Sequence, residues 1–243
     1  MTMTQTALTL DHVSFHIDDV AIIKDISGTI EAGKITAFVG PSGAGKSTLF
    51  RLINQLKTHT KGTITFNNED VKTIHPMILR KNIGIVLQEG VMTPGTVYDN
   101  LALPRQLQND TLSEDDALSF LLKVGLEERF LHKKAKELSG GQKQKVSIAR
   151  TLVNQPEVLL MDEITSSLDQ VSTQAIETLI KQLNKEDHQT ILWITHNIDQ
   201  AKRLSDNTWV LIDGKCRYQG PTNQLDEATD QRVIDFLEGG DQS

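Results

Sequence analysis

The chain has 243 residues, 38% hydrophobic and 23% charged, enough for one large α/β domain and typical of neither a disordered nor a fibrous protein. With 25 Lys and Arg against 32 Asp and Glu, the net charge is −7, which argues against a nucleic acid as main partner yet leaves a few local groups able to hold a nucleotide. The lone Cys216 excludes an internal disulfide, the first ten residues lack the pattern of a signal peptide, and no apolar run approaches the ~20 residues that span a bilayer; a cytoplasmic chain, peripheral to the membrane at most, is expected.

Short apolar runs at 8–15 and 21–30 flank the Asp18-Asp19 turn and predict an antiparallel β-portion near the N-terminus. Ile35 to Val39 predicts a buried strand, and the glycines from Gly40 to Gly45 turn it into a helix over 46–55. Further strands are expected at 62–66 and 83–87, the second ending at Gln88. From Val97 to Lys136 the pattern is helical, with Ser113 as the N-cap of a helix over 114–124 and Gly125 as its stop. Alternation then resumes with a helix at 141–154, a strand at 158–161, a helix at 170–184 and a strand at 191–195. Asp213-Gly214 reads as a hairpin turn, and past Tyr218 only a short tail is expected. The whole is an α/β body that carries a helical insertion of about forty residues.

Gly40-Pro41-Ser42-Gly43-Ala44-Gly45-Lys46-Ser47-Thr48 fits G-x-x-x-x-G-K-[ST] between a strand and a helix, the signature of a P-loop NTPase. Glycine lets backbone N–H groups turn inward around phosphate, the helix start adds its positive end, Lys46 reaches the β and γ phosphates, and Ser47 offers a hydroxyl to Mg²⁺. Val158 to Asp162-Glu163 is an apolar strand ending in two carboxylates; alternation along a strand gives them different tasks, Asp162 toward Mg²⁺ and Glu163 toward the attacking water. Gln88 and His196 close two other strands and are expected on the same edge, Gln88 facing Mg²⁺ or water and His196 the γ-phosphate. Each of these residues taken singly fits an ordinary polar loop; the shared edge gives them a function.

A second anion site is expected at Leu138-Ser139-Gly140-Gly141-Gln142. Ser139 and Gln142 have the spacing of a capping box, and the two glycines leave N–H groups bare enough for phosphate to approach. A single nucleotide seldom needs two such helix starts.

With these residues in view, the sequence resembles the ATP-binding cassette ATPases, the nucleotide-binding subunits of ABC transporters, over nearly its whole length. Walker A is 40–48, the Q-loop Gln88, the signature 138–142, Walker B 158–163, the D-loop Ser166-Ser167-Leu168-Asp169 and the H-loop His196. The resemblance implies one domain over 1–243, with a RecA-like core and antiparallel β-portion at 1–88 and 138–243 and a helical subdomain at 89–137. It implies ATP and Mg²⁺ as cofactors and a head-to-tail homodimer. There Ser139, Gly140 and Gly141 would reach the γ-phosphate across the interface and Asp169 would approach the opposite Walker A. A transmembrane permease would dock on Glu89 to Leu101. The sequence departs from the family at Ile17, where many relatives place an adenine-stacking aromatic, at Ile164 after Walker B, and at Lys143-Gln144-Lys145 after the signature. The run 162–166 with 96–101 is similar to a small bacterial branch whose compact permease is linked to iron or metal export. A soluble ABC-type ATPase would be expected to carry a long coiled coil or a second cassette, and a small-molecule kinase would leave the second anion site without a purpose.

Overall fold

The structure, a computed structural model, describes residues 5–239. Two long strands open it, β1 (Thr6–Ile17) and β2 (Val20–Glu31), joined at Asp18-Asp19. With β4 (Lys61–Phe66) and β5 (Glu69–Asp70) they form an antiparallel sheet of order β2-β1-β4-β5. The second sheet has the order β10-β9-β3-β8-β7-β6, from β3 (Ile35–Val39), β6 (Ile83–Val86), β7 (Val158–Asp162), β8 (Thr190–Ile194), β9 (Asn207–Ile212) and β10 (Lys215–Pro221). Its neighbours pair in parallel except at the β9–β10 edge. That hairpin closes on Asp213 (φ 53) and Gly214 (φ 77), the two positive φ values of a type I′ turn.

Every residue of β3, β7 and β8 is buried, as in a parallel sheet covered on both faces. Strand alternation sorts them between two cores. Leu159, Met161, Ile191 and Trp193 pack on one face with α3 (Val97–Gln106), α4 (Glu114–Lys123), α5 (Gly140–Leu152) and α6 (Gln170–Asp187). Val158, Leu160, Leu192 and Ile194 pack on the other with α1 (Lys46–Ile53) and the antiparallel sheet. The inserted helices share their apolar cluster with the sheet, so α3 and α4 sit on the body rather than apart from it.

Expected element types hold, with shifted ends. α1 stops at Ile53 rather than residue 55, and α6 runs to Asp187 rather than 184 because His188 supplies a left-handed cap (φ 51). α4 is capped by Ser113 and ended by Gly125 (φ 67) as read from sequence. Two features were not foreseen. A short α2 (Pro76–Asn82) begins at the His75 cap with proline in its first turn. The tail is folded: a 3₁₀ segment (Thr222–Glu227) and α8 (Gln231–Leu237) bring Leu225 and Val233 with α7 (Ile198–Leu204) onto Val39, Val210 and Ile212.

Candidate active site at the sheet edge

The order β3-β8-β7-β6 brings four strand ends side by side, and each leads into one expected site segment. After β3 the P-loop turns through Gly43 (φ 79) and Gly45 (φ 100) into α1. Lys46 is 4% exposed, and its Nζ donates to the carbonyls of Gly40 (2.7 Å) and Pro41 (2.8 Å). The ammonium is folded back into its own loop, and burial lowers its pKa to about 8 against the opposing pull of Glu163 and Asp162.

Ser47 Oγ donates to Asp162 Oδ1 at 2.8 Å, joining α1 to the end of β7. Asp162 is buried, and desolvation pushes its carboxyl upward although the Ser47 bond favours the charged form. Among the described residues no cationic side chain pairs with it within 4.0 Å. A buried carboxylate and a hydroxyl, both hard oxygen donors with no cationic side chain in contact with the carboxylate, suit Mg²⁺.

Glu163 does not continue the strand. It takes a left-handed conformation (φ 52), so its divergence from Asp162 comes from a turn at the strand end and not from strand alternation. The turn sets Glu163 Oε1 2.7 Å from His196 Nε2, the residue two past the end of β8, while Glu163 N donates to Ile194 O at 3.2 Å. Gln88 also lies two residues past its strand rather than closing it; its Nε2 donates to Ser166 Oγ (3.0 Å), which donates to Glu163 O (2.9 Å). The P-loop, Asp162, Glu163, His196 and Gln88 therefore converge on one edge.

The second helix start is built as expected but stands apart from these bonds. Ser139 Oγ accepts from Gln142 N, and Gln142 Oε1 accepts from Ser139 N (3.0 Å), completing the capping box inside its own turn. A Cβ on Gly141 would lie 2.7 Å from Ser172 Oγ, and Ser172 is held by Asp169, the N-cap of α6. These Ser172 bonds keep the Asp169 carboxyl below its ordinary range. Gln144 donates to Leu87 O (3.1 Å) and Arg150 to Val91 O (3.0 Å), so α5 and the segment after Gln88 are stitched together. Asn100 adds bonds to Thr93 and Thr96. Sequence reasoning missed these anchors and the buried Gln200, because an amide on a helix carries no spacing signal.

A phosphate-binding loop, a buried carboxylate beside its serine and a turned-out glutamate against a histidine define a P-loop ATPase. Residues 23–166, more than half of the chain, match the family model of the ABC transporter. The chain is 39% identical over 220 residues to the putative ABC transporter ATP-binding protein YjkB of Bacillus subtilis, covering 90% of this chain and 87% of the relative. It is 38% identical over 193 residues to the probable iron export ATP-binding protein FetA of Escherichia coli, covering 79% and 86%. A solved dimeric post-hydrolysis structure of the ATP-binding cassette MJ0796, bound to ADP and Pi, superposes with a TM-score of 0.78 at 31% identity, covering 88% of this chain and 98% of that one. The chain belongs to the ABC transporter ATP-binding family. It is an ATPase subunit, and the reading as part of a transporter holds over that of a free-standing soluble ATPase.

Proposed function

We propose that two copies of this chain pair head to tail, with each ATP held by the P-loop of one copy and capped by Ser139, Gly140 and Gly141 of the other. The observation that carries the chemistry is the 2.7 Å contact between His196 Nε2 and Glu163 Oε1 beside the P-loop. Lys46 leaves the carbonyls of Gly40 and Pro41 for the β and γ phosphates, which the loop amides and the start of α1 also bind. Glu163 accepts a proton from the attacking water as its oxygen bonds to the γ-phosphorus and the bond to the bridging oxygen of ADP breaks. His196 orients Glu163 and donates to the γ-phosphate. Ser47 and Asp162, with Gln88, would hold Mg²⁺, whose charge would offset that of the phosphates. Gln142 fixes the capping turn, and Asp169 braces it through Ser172 while facing the partner's loop.

Aliphatic contact with the half-exposed Ile17 (46%) and Val20 (62%), which face each other across the β1–β2 turn, takes the place of an aromatic under adenine. The working unit is one domain over 1–243, made of a core with its antiparallel β-portion over 1–88 and 138–243 and a helical lobe over 89–137. The lobe borders a groove of ≈ 920 Å³ between the segment from Gln88 to Thr96 and the lysines Lys134, Lys136 and Lys143; this supports docking of a permease segment on Glu89 to Leu101. Among the described residues no helix is long and apolar enough to cross a membrane, which suits a subunit resting on the cytoplasmic face through that permease. Glu163→Gln tests the reading: it is expected to bind ATP, to lose turnover by at least a hundredfold and to accumulate as an ATP-bound dimer in size-exclusion chromatography. A variant that turns over normally, or stays monomeric at saturating ATP, overturns it.

A further inference from the structure

We infer that Gln200, outside every motif named above, is a positioning residue for hydrolysis whose buried amide fixes the loop bearing Glu163 against the loop bearing His196. The inference rests on the roles proposed for that pair. Gln200 lies on α7 and is 3% exposed. Its Oε1 accepts from Thr195 Oγ1 (2.5 Å), and its Nε2 donates to Thr165 Oγ1 (3.2 Å) and Glu177 Oε1 (2.9 Å). Thr195 immediately precedes His196, and Thr165 follows Glu163 by two residues. Glu177, buried on α6, is held in turn by Arg203 Nη2 at 3.0 Å. One amide thus ties the ends of β7 and β8 to α6 and α7.

The chemistry of the site calls for an amide. Thr195 presents a donor, while Thr165 and Glu177 present acceptors, so the central side chain must accept on one atom and donate on the other. A carboxylate would set like charges together beside Glu177, and an aliphatic side chain would leave that buried carboxylate short of a partner. The pair above needs such support. The His196 side chain is 44% exposed and that of Glu163 18%, and Glu163 occupies a left-handed conformation that surrounding structure must hold. Glu163, Thr165, Thr195, His196 and Gln200 line one cavity of ≈ 250 Å³, so the amide network borders the same space as the two catalytic groups. It adds to the bond that Glu163 N donates to Ile194 O and the bond that Glu163 O accepts from Ser166 Oγ.

The test compares Gln200→Leu and Thr165→Val with the unaltered chain, measuring steady-state ATPase activity and ATP affinity. Gln200→Leu is expected to lower kcat by about 10- to 100-fold, the scale of a small misplacement of reacting groups, with ATP affinity within about twofold because Gln200 touches no P-loop residue. Thr165→Val, which removes one bond, is expected to lower kcat less and leave KM unchanged. Placed on a His196→Ala background, Gln200→Leu is expected to add less than about threefold, since both act through one pair. A folded Gln200→Leu with kcat within twofold of the unaltered chain, or a full multiplicative loss on His196→Ala, overturns the inference. Should Gln200→Leu fail to fold, an unchanged kcat in Thr165→Val does so. Glu163→Gln measured alongside separates the cases: normal turnover there discards the roles of the pair, whereas its loss with an intact Gln200→Leu discards only the positioning role.

Discussion

If Lys46 takes the phosphates as proposed, ATP binding is a proton-linked event. In the nucleotide-free loop its ammonium is desolvated against two carbonyls and titrates at about 8 instead of 10.5. A triphosphate restores strong opposing charge and returns the pKa to at least its ordinary value, so binding requires the charged form and takes up a proton wherever the free loop has lost one. For a free-state pKa of about 8, affinity falls about eightfold between pH 7.5 and pH 9, or ~1.3 kcal/mol, with uptake of ~0.9 proton at pH 9. The nucleotide's own phosphates are ionised throughout that range. Isothermal titration calorimetry in buffers of different ionisation enthalpy measures both quantities, and Lys46→Met should bind weakly with no pH slope. The sign for stability is fixed by the same shift. The unfolded chain holds this proton longer than the native one, so the nucleotide-free protein gains stability as pH rises from 8 to 10.5, by about 3 kcal/mol for this group. An affinity flat from pH 7.5 to 9, or a slope that survives Lys46→Met, refutes the burial argument.

Two other perturbations separate the second anion site from the fold. Gly141→Ala drives a Cβ into Ser172 and loosens the Asp169 cap; it should cost about 1 kcal/mol in urea unfolding yet lower ATPase turnover more than tenfold, with Ser172→Ala recovering stability rather than turnover. Asn100→Leu strips a fully buried amide from Thr93 and Thr96 and should destabilise by about 2–4 kcal/mol in the same assay, since the Thr93 N–H loses its partner.

Much of this site was legible in the sequence because glycines and caps act locally. Gly43 and Gly45 have the positive φ that a phosphate cradle needs, and Ser139 with Gln142 closes the expected box. The strand order of the parallel sheet then gathers β3, β8, β7 and β6 ends without further instruction. What escaped depends on partners remote in sequence. Gln200 meets Thr165 and Glu177 only after α6 and α7 are packed, and α8 earns its place by covering Val39 and Val210 rather than by a strong pattern of its own. The left-handed turn at Glu163 is set by a tertiary bond to Ile194 O, which no propensity of glutamate foretells.

Three glycines sit where main chains cross: Gly40 against Leu211 O, Gly45 against Ile22 O and the Ile23 side chain, and Gly214 against Ile22 O. Lys24 N reinforces the last crossing with a 2.8 Å bond to Gly214 O. The antiparallel sheet, the phosphate loop and the β9–β10 hairpin are thereby riveted into one stator, on which any added side chain jams a joint. On the opposite face of the parallel sheet, α5 and the strap behind Gln88 are lashed to each other through Gln144 and Arg150. A load on that strap would reach both the serine-glycine tip, through α5, and the Glu163 turn, through the bond from Gln88 to Ser166.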